Sequence, residues 1–131
     1  MFLDASAMVA IVARESDADT LAARLNQAAE VYTSPLAIYE SVLGVARRGN
    51  MSIPEATTLL DHFLEQVAVR VTPITAEIGR AAVTAFERYG KGRHPAALNM
   101  GDCFAYACAR SLDRPLLFKG EDFPQTDIAA A

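Results

Sequence analysis

A chain of 131 residues, 52% hydrophobic and 21% charged, is the length of one domain and apolar enough to bury its own core, which excludes a disordered polymer. No apolar run approaches the roughly 20 residues of a bilayer span, and the first 15 residues hold Asp4, Arg14 and Glu15 without a basic leader, so neither membrane nor secretion is expected and the cytoplasm is the expected compartment. Twelve Lys and Arg against 16 Asp and Glu give a net charge of −4, which excludes coating nucleic acid by charge alone but not catalysis on phosphates.

Met1-Phe2-Leu3 is a short apolar run closed at once by Asp4, and it predicts a strand buried on both faces, as in a parallel sheet. Ala5 to Val12 reads as a short helix, and Asp17 or Asp19 opens another that runs to Ala29. Val31-Tyr32-Thr33 is β-rich and ends at Ser34-Pro35, a helix-start signal. From Pro35 the apolar residues Leu36, Tyr39, Val42, Leu43 and Ala46 recur at helical spacing up to Arg47-Arg48-Gly49, where two cations before a glycine mark a C-terminus. That spacing sets Glu40 on the face of Leu36, Leu43 and Gly44, so its carboxylate is expected to point inward.

Ser52-Ile53-Pro54-Glu55 is a capping box opening a helix to about Gln66. Val67 to Val71 is β-rich, and Thr75 with Glu77 starts a helix to Tyr89. Gly90-Lys91-Gly92-Arg93-His94-Pro95 is the one long irregular stretch. Asn99 to Asp102 opens a helix to Leu112, stopped by Asp113-Arg114-Pro115. Leu116-Leu117-Phe118 is another short buried strand, followed by Lys119-Gly120-Glu121-Asp122. A last strand is expected around Ile128, with Ala129-Ala130-Ala131 as a frayed tail. Short apolar strands alternating with helices predict an α/β domain, a short parallel central sheet flanked by helices on both faces, with its site at the carboxyl ends of the strands.

Cys103 and Cys108 form no Cys-x-x-Cys pair and read as reduced core residues. His62 and His94 lack a ligand-spaced partner, so zinc chemistry is not expected. The acidic residues say more. Asp4 follows the first strand, Asp122 follows a later one, Asp102 lies in the first turn of a helix and Glu40 on an inward face. A lone Asp at a helix start is ordinarily a cap, Asp122 alone fits a turn, and Glu40 alone fits a half-exposed position. Asp4 resists such a reading, because a carboxylate ending a buried strand is costly without a partner. A cluster of like charges opposes folding unless a hard cation such as Mg²⁺ or Mn²⁺ compensates it. Residue types and spacing thus lead to an acidic metal site in an α/β domain.

Six segments recur together in one order: Phe2-Leu3-Asp4-Ala5-Ser6-Ala7, Tyr39-Glu40, Tyr89-Gly90-Lys91-Gly92-Arg93-His94, Leu98-Asn99-Met100-Gly101-Asp102-Cys103-Phe104-Ala105-Tyr106, Leu116-Leu117-Phe118-Lys119-Gly120-Glu121-Asp122-Phe123 and Thr126-Asp127-Ile128. In that order they resemble the PIN-domain ribonucleases, and among these the VapC toxins of toxin–antitoxin pairs. The resemblance implies one PIN domain over residues 1–131 in which Asp4, Glu40, Asp102 and Asp122 surround one or two Mg²⁺ or Mn²⁺ ions. Asp4 and Asp102 would be direct ligands; Glu40 and Asp122 would support them, bind a second ion or orient the attacking water. The implied activity is hydrolysis of RNA, leaving a 3′-hydroxyl and a 5′-phosphate and inhibiting translation. A VapB-type antitoxin and a homodimer are the implied partners, and transfer or ribosomal RNA the substrate.

The same resemblance gives supporting roles. Ser6 either hydrogen-bonds Asp4 or a metal-bound water, or caps a helix. Asn99 either orients Asp102 or is itself the cap. Lys119 meets a phosphate or an acidic neighbour. Thr126 and Asp127 fall near the site, with Asp127 as a fifth acidic contributor. Arg88, Lys91, Arg93 and His94 either steer the RNA backbone or form a solvated loop. Leu21, Leu25, Leu59, Leu60 and Phe63 offer partner surfaces or pack within the domain. The rival readings are a catalytically idle PIN-like binding module, a PIN nuclease of RNA maturation or branched DNA, and a phosphotransfer receiver. The last is disfavoured, because Asp4 stands without an acidic neighbour and Val67 to Val71 is followed by Thr72-Pro73 rather than Asp.

Overall fold

Phe2 and Leu3 are both fully buried, yet they belong to different cores. Successive strand residues point to opposite faces, so a strand covered on both sides must be apolar at every position. A computed structural model describes all 131 residues and places β1 (Phe2–Leu3) inside a four-stranded sheet of order β3-β2-β1-β4. The other strands are β2 (Tyr32–Thr33), β3 (Arg70–Val71) and β4 (Leu116–Leu117), and every pairing is parallel. Leu116 joins Phe2 against α5 (Ala76–Tyr89) and α6 (Met100–Ser111). Leu117 joins Leu3 against α1 (Ala5–Val12), α2 (Ala18–Leu25), α3 (Pro35–Gly49) and α4 (Ile53–Val67). This is the α/β architecture expected from the sequence. No helix is long and apolar enough to cross a membrane.

Local signals account for the helix ends. The Ser34 hydroxyl accepts from the Ala37 amide, Ser52 and Glu55 form a reciprocal capping box, and the Thr75 hydroxyl accepts from the Ile78 amide. Each satisfies N–H groups that a helix start leaves without partners.

Five expectations are corrected. The helix after Asp17 stops at Leu25 rather than Ala29, because its continuation offers only Ala28 and Ala29 to bury. The strand over Val67 to Val71 shrinks to Arg70–Val71, since Val67 ends α4 and Ala68 turns the chain with φ 55°. β3 is the sheet's edge and both its residues are exposed, which explains its weak apolar pattern. No strand forms at Ile128, but Ala129-Ala130-Ala131 is not frayed. Leu116 donates to the Ala129 carbonyl at 2.8 Å and Ala131 donates to the Leu116 carbonyl at 3.0 Å, closing the free edge of β4.

The fifth correction concerns α3. Tyr39 and Leu43 were expected on its buried face but are 62% and 42% exposed, and Ala37, Ser41, Gly44 and Val45 are buried instead. α3 lies so close to α1 that a Cβ on Gly44 would come within 2.6 Å of Val9, a distance that only small residues allow. Of the apolar residues offered as partner surfaces, Leu21, Leu25 and Leu60 are core and Phe63 is half-buried; Leu59 alone is exposed. Cys103 and Cys108 are free and buried, as expected.

Candidate active site

β1 ends one residue before α1 begins, so Asp4 both finishes the central strand and caps the first helix. Its Oδ2 accepts from the Ser6 amide at 3.0 Å and from the Ser6 hydroxyl. Ser6 is therefore a partner of Asp4, and the cap is Asp4. The Ser6 hydroxyl oxygen also accepts from the Lys119 amide at 2.9 Å, tying the start of α1 to the segment after β4. Asp4 is only 4% exposed, and burial pushes its carboxyl above the usual range despite the bonds from Ser6.

Asp102 stands in the first turn of α6, where both readings of Asn99 hold at once. Asn99 Oδ1 accepts from the Asp102 amide and Asp102 Oδ2 accepts from the Asn99 amide, each at 2.9 Å. Burial raises the Asp102 carboxyl to about 6; the Asn99 bond opposes this, and Asp4 and Asp122 add to it. Glu40 reaches this place from α3. Burial, then the charges of Asp4 and Asp102, push it to about 7. Its carboxylate lies against Gly101, where a Cβ would stand 2.2 Å from Oε2. The structure thus brings Asp4, Glu40 and Asp102 together at the carboxyl end of β1. Asp122 is exposed at the start of a short 3₁₀ turn, Phe123–Gln125, and its charge is felt at Asp102.

The remaining candidates divide. Lys119 meets acidic neighbours, Glu15 and, at 3.0 Å, Asp17. Glu15, which no sequence motif marked, also accepts from Arg48 at 2.7 Å and is a hub beside the site. Thr126 donates to the Phe123 carbonyl at 2.8 Å and accepts from the Ile128 amide, shaping the turn. Asp127 accepts from the Tyr106 hydroxyl and pairs with Arg88 at 3.4 Å. Tyr106 holds the Asp127 carboxyl below the usual range, and burial pushes the Tyr106 hydroxyl up to about 12. Asp127 thus pins the C-terminal segment to α6 and is absent from the charges that perturb Asp4, Glu40 and Asp102. In the basic patch, Arg88 stacks on Tyr89 at 4.8 Å, Arg93 stands over Phe86 at 5.9 Å, and His94 Nδ1 accepts from the Ala96 amide at 3.1 Å. Lys91 is exposed.

No cationic side chain is among the groups that perturb the three central carboxylates. Hard oxygen donors gathered this way suit a divalent cation. No three acidic, histidine or cysteine side chains are placed to hold a metal ion among themselves, and Mg²⁺, which keeps several waters and takes one or two carboxylates, does not need three. The donor set fits such an ion. Between about pH 4.5 and 7 the metal-free native protein holds protons on Glu40 and Asp102 that the unfolded chain has released, so its stability falls as pH rises through that window. Asp127, held low, loses its contribution only below the window. Chemical unfolding in EDTA is expected to give a protein less stable at about pH 7.5 than at about pH 5 by roughly 1–2 kcal/mol, discounted for the solvent reaching both groups. Glu40→Gln should flatten that dependence.

The sequence profile of the PIN domain matches residues 1–129. The chain is 42% identical over 130 residues to ribonuclease VapC36 of Mycobacterium tuberculosis, covering 98% of this chain and 91% of that protein. It is 39% identical over 139 residues to a VapC ribonuclease of Rhizobium meliloti, covering 97% of this chain and 98% of the other. The crystal structure of Mycobacterium tuberculosis VapC20, described as a sarcin–ricin loop cleaving toxin, has the same fold: the TM-score is 0.77 over 99% of this chain and 97% of that one, at 21% identity.

Proposed function

The chain belongs to the PIN-domain family and, within it, to the VapC ribonucleases, and from that premise we propose that Asp4, Glu40, Asp102 and Asp122 are the residues with which it hydrolyses RNA. The observation carrying this assignment is the convergence of Asp4, Glu40 and Asp102, whose burial and mutual repulsion no side-chain cation relieves. Asp4 and Asp102 would hold one or two Mg²⁺ or Mn²⁺ ions, being fixed by a strand end and a helix start. When bound, such an ion supplies a water nucleophilic at neutral pH and positive charge for the phosphate oxygens. Glu40 and Asp122 would support these ligands, bind a second ion or orient the attacking water. Ser6 keeps the Asp4 carboxylate turned toward the site, and Asn99 does the same for Asp102. The products are a 3′-hydroxyl and a 5′-phosphate.

Lys91 and Arg93, exposed on the loop leading to α6, are the candidates from the basic patch to guide RNA. Transfer RNA and a ribosomal RNA loop, such as the one VapC20 is described as cutting, are the substrates we infer. A VapB-type antitoxin and a second copy of the chain are the proposed partners, in the cytoplasm. Exposed Val83, Phe86 and Met100 rim an apolar groove of about 240 Å³ between α5 and the start of α6, beside Asp102, which supports a partner-covered face there.

The test is cleavage of total cellular RNA by purified, antitoxin-free protein. Discrete fragments with Mg²⁺ or Mn²⁺, absent in EDTA, are the expected result. Cleavage that persists in EDTA, or none by folded protein with either ion, would overturn the metal assignment.

A further inference from the structure

Glu40 and Arg47 lie seven residues apart on α3, a spacing that returns nearly to the same helix face about 10 Å further along the axis. Both line one groove of about 400 Å³, with Gly44 between them. Ala5, Ser6, Gly44 and Gly120 give it a floor of small side chains, and Arg47, Arg48 and Lys119 line it as cations. The groove shares Ser6 and Glu40 with the carboxylate site, so it runs on from the place where a phosphodiester would be cut. Arg48 and Lys119 are answered by Glu15 and Asp17. Arg47 is exposed at the helix end and is in none of the ion pairs of the structure.

We propose that Arg47 binds a backbone phosphate of the RNA a few nucleotides from the scissile bond, along the groove that it lines together with Glu40. Arg48 and Lys119, braced on Glu15, form the wall of this subsite. The small floor leaves room for a ribose, and the guanidinium fork suits a phosphate. This rests on the ribonuclease reading above and extends it to the path of the strand, in a sector of the protein separate from the basic loop before α6. An RNA strand is favoured over an acidic peptide because the groove continues from the site of phosphodiester attack.

The test uses the Asp4→Asn protein, which is expected to bind RNA without cutting it, and a fluorescein-labelled RNA hairpin with a single-stranded loop, titrated by fluorescence polarisation across a range of salt. Adding Arg47→Ala is expected to weaken binding about tenfold and to reduce the slope of log affinity against log salt by about 0.7, the loss of one phosphate contact on a single strand. Arg47→Lys should restore most of both, and Arg24→Ala should change neither. In the otherwise wild-type enzyme Arg47→Ala should raise KM with kcat unchanged. Unchanged affinity and salt slope, or a loss accompanied by a lowered unfolding temperature, would overturn the subsite. So would a defect confined to binding an acidic peptide, which would make the groove a protein contact. If wild-type protein cuts RNA while Arg47→Ala leaves KM unchanged, the subsite falls and the ribonuclease stands; if wild type cuts nothing, the ribonuclease reading itself has failed.

Discussion

Asp4→Asn is expected to reduce RNA cleavage by more than about 100-fold, beyond what removal of a residue merely supporting a metal ligand does, and to leave the metal-free protein as stable or more so at neutral pH. The two halves have different causes. Asn keeps the size of Asp and an oxygen to accept from the Ser6 amide and hydroxyl, and it caps a helix as well as Asp does. What disappears is a negative charge in a position only 4% exposed, where burial already opposes ionisation. A residue kept for stability would not behave so. The measurement pairs cleavage of total RNA with thermal unfolding in EDTA, with and without Mg²⁺. Wild-type protein should gain stability from Mg²⁺ by mass action, and Asp4→Asn should gain much less. Retained cleavage, or loss of cleavage together with a lowered unfolding temperature, would count against the assignment of Asp4.

Gly101→Ala is expected to separate activity from stability in the same way. Gly101 is buried in the first turn of α6, and an added Cβ would stand 2.2 Å from Glu40 Oε2 and 2.5 Å from Oε1. The obstacle is the far end of a flexible side chain, so the backbone need not move; Glu40 must. Alanine is also the better helix former, by about 1 kcal/mol in a helix interior. Withdrawing Glu40 relieves part of the burial, and of the repulsion from Asp4 and Asp102, that together hold its carboxyl at about 7. Thermal stability should therefore hold or rise, while kcat/KM for RNA falls about 10- to 100-fold, the scale of a group displaced by an ångström. Unchanged cleavage would show that Glu40 has no part in the reaction.

Gly101 also marks the limit of what the chain discloses residue by residue. It belongs to a segment that resembles the family, Asn99-Met100-Gly101-Asp102, yet nothing local explains the glycine. Its backbone is ordinary helix, so conformational freedom is not the reason. The reason is Glu40, 61 residues earlier, whose carboxylate occupies the space. Glu15 is similar: isolated in sequence after α1, it receives both Arg48 and Lys119 once the chain is folded.

Features that depend on neighbours in the chain were legible from the beginning. Short apolar runs announced β1 and β4 and a β-rich run announced β2, capping residues set the starts of α3, α4, α5 and α6, and Asp4 at the end of a buried strand implied a compensated charge. Strand propensity and helix capping act over one turn or less, so they survive in any reading of the sequence. The resemblance already grouped Asp4, Glu40, Asp102 and Asp122; what the tertiary structure added is the packing that gathers the first three and removes Asp127. Parallel strands need long crossovers, and these brought Glu40 of α3 against Gly101 of α6, beside Asp4, while turning Asp127 away to Tyr106 and Arg88. It also decided which face of α3 is buried. Helical periodicity marks a stripe of apolar residues, but the close approach of α1 at Gly44 admitted the small side chains and left Tyr39 and Leu43 in solvent. Packing distance between helices is a property of two elements together, and a pattern written along one of them does not contain it.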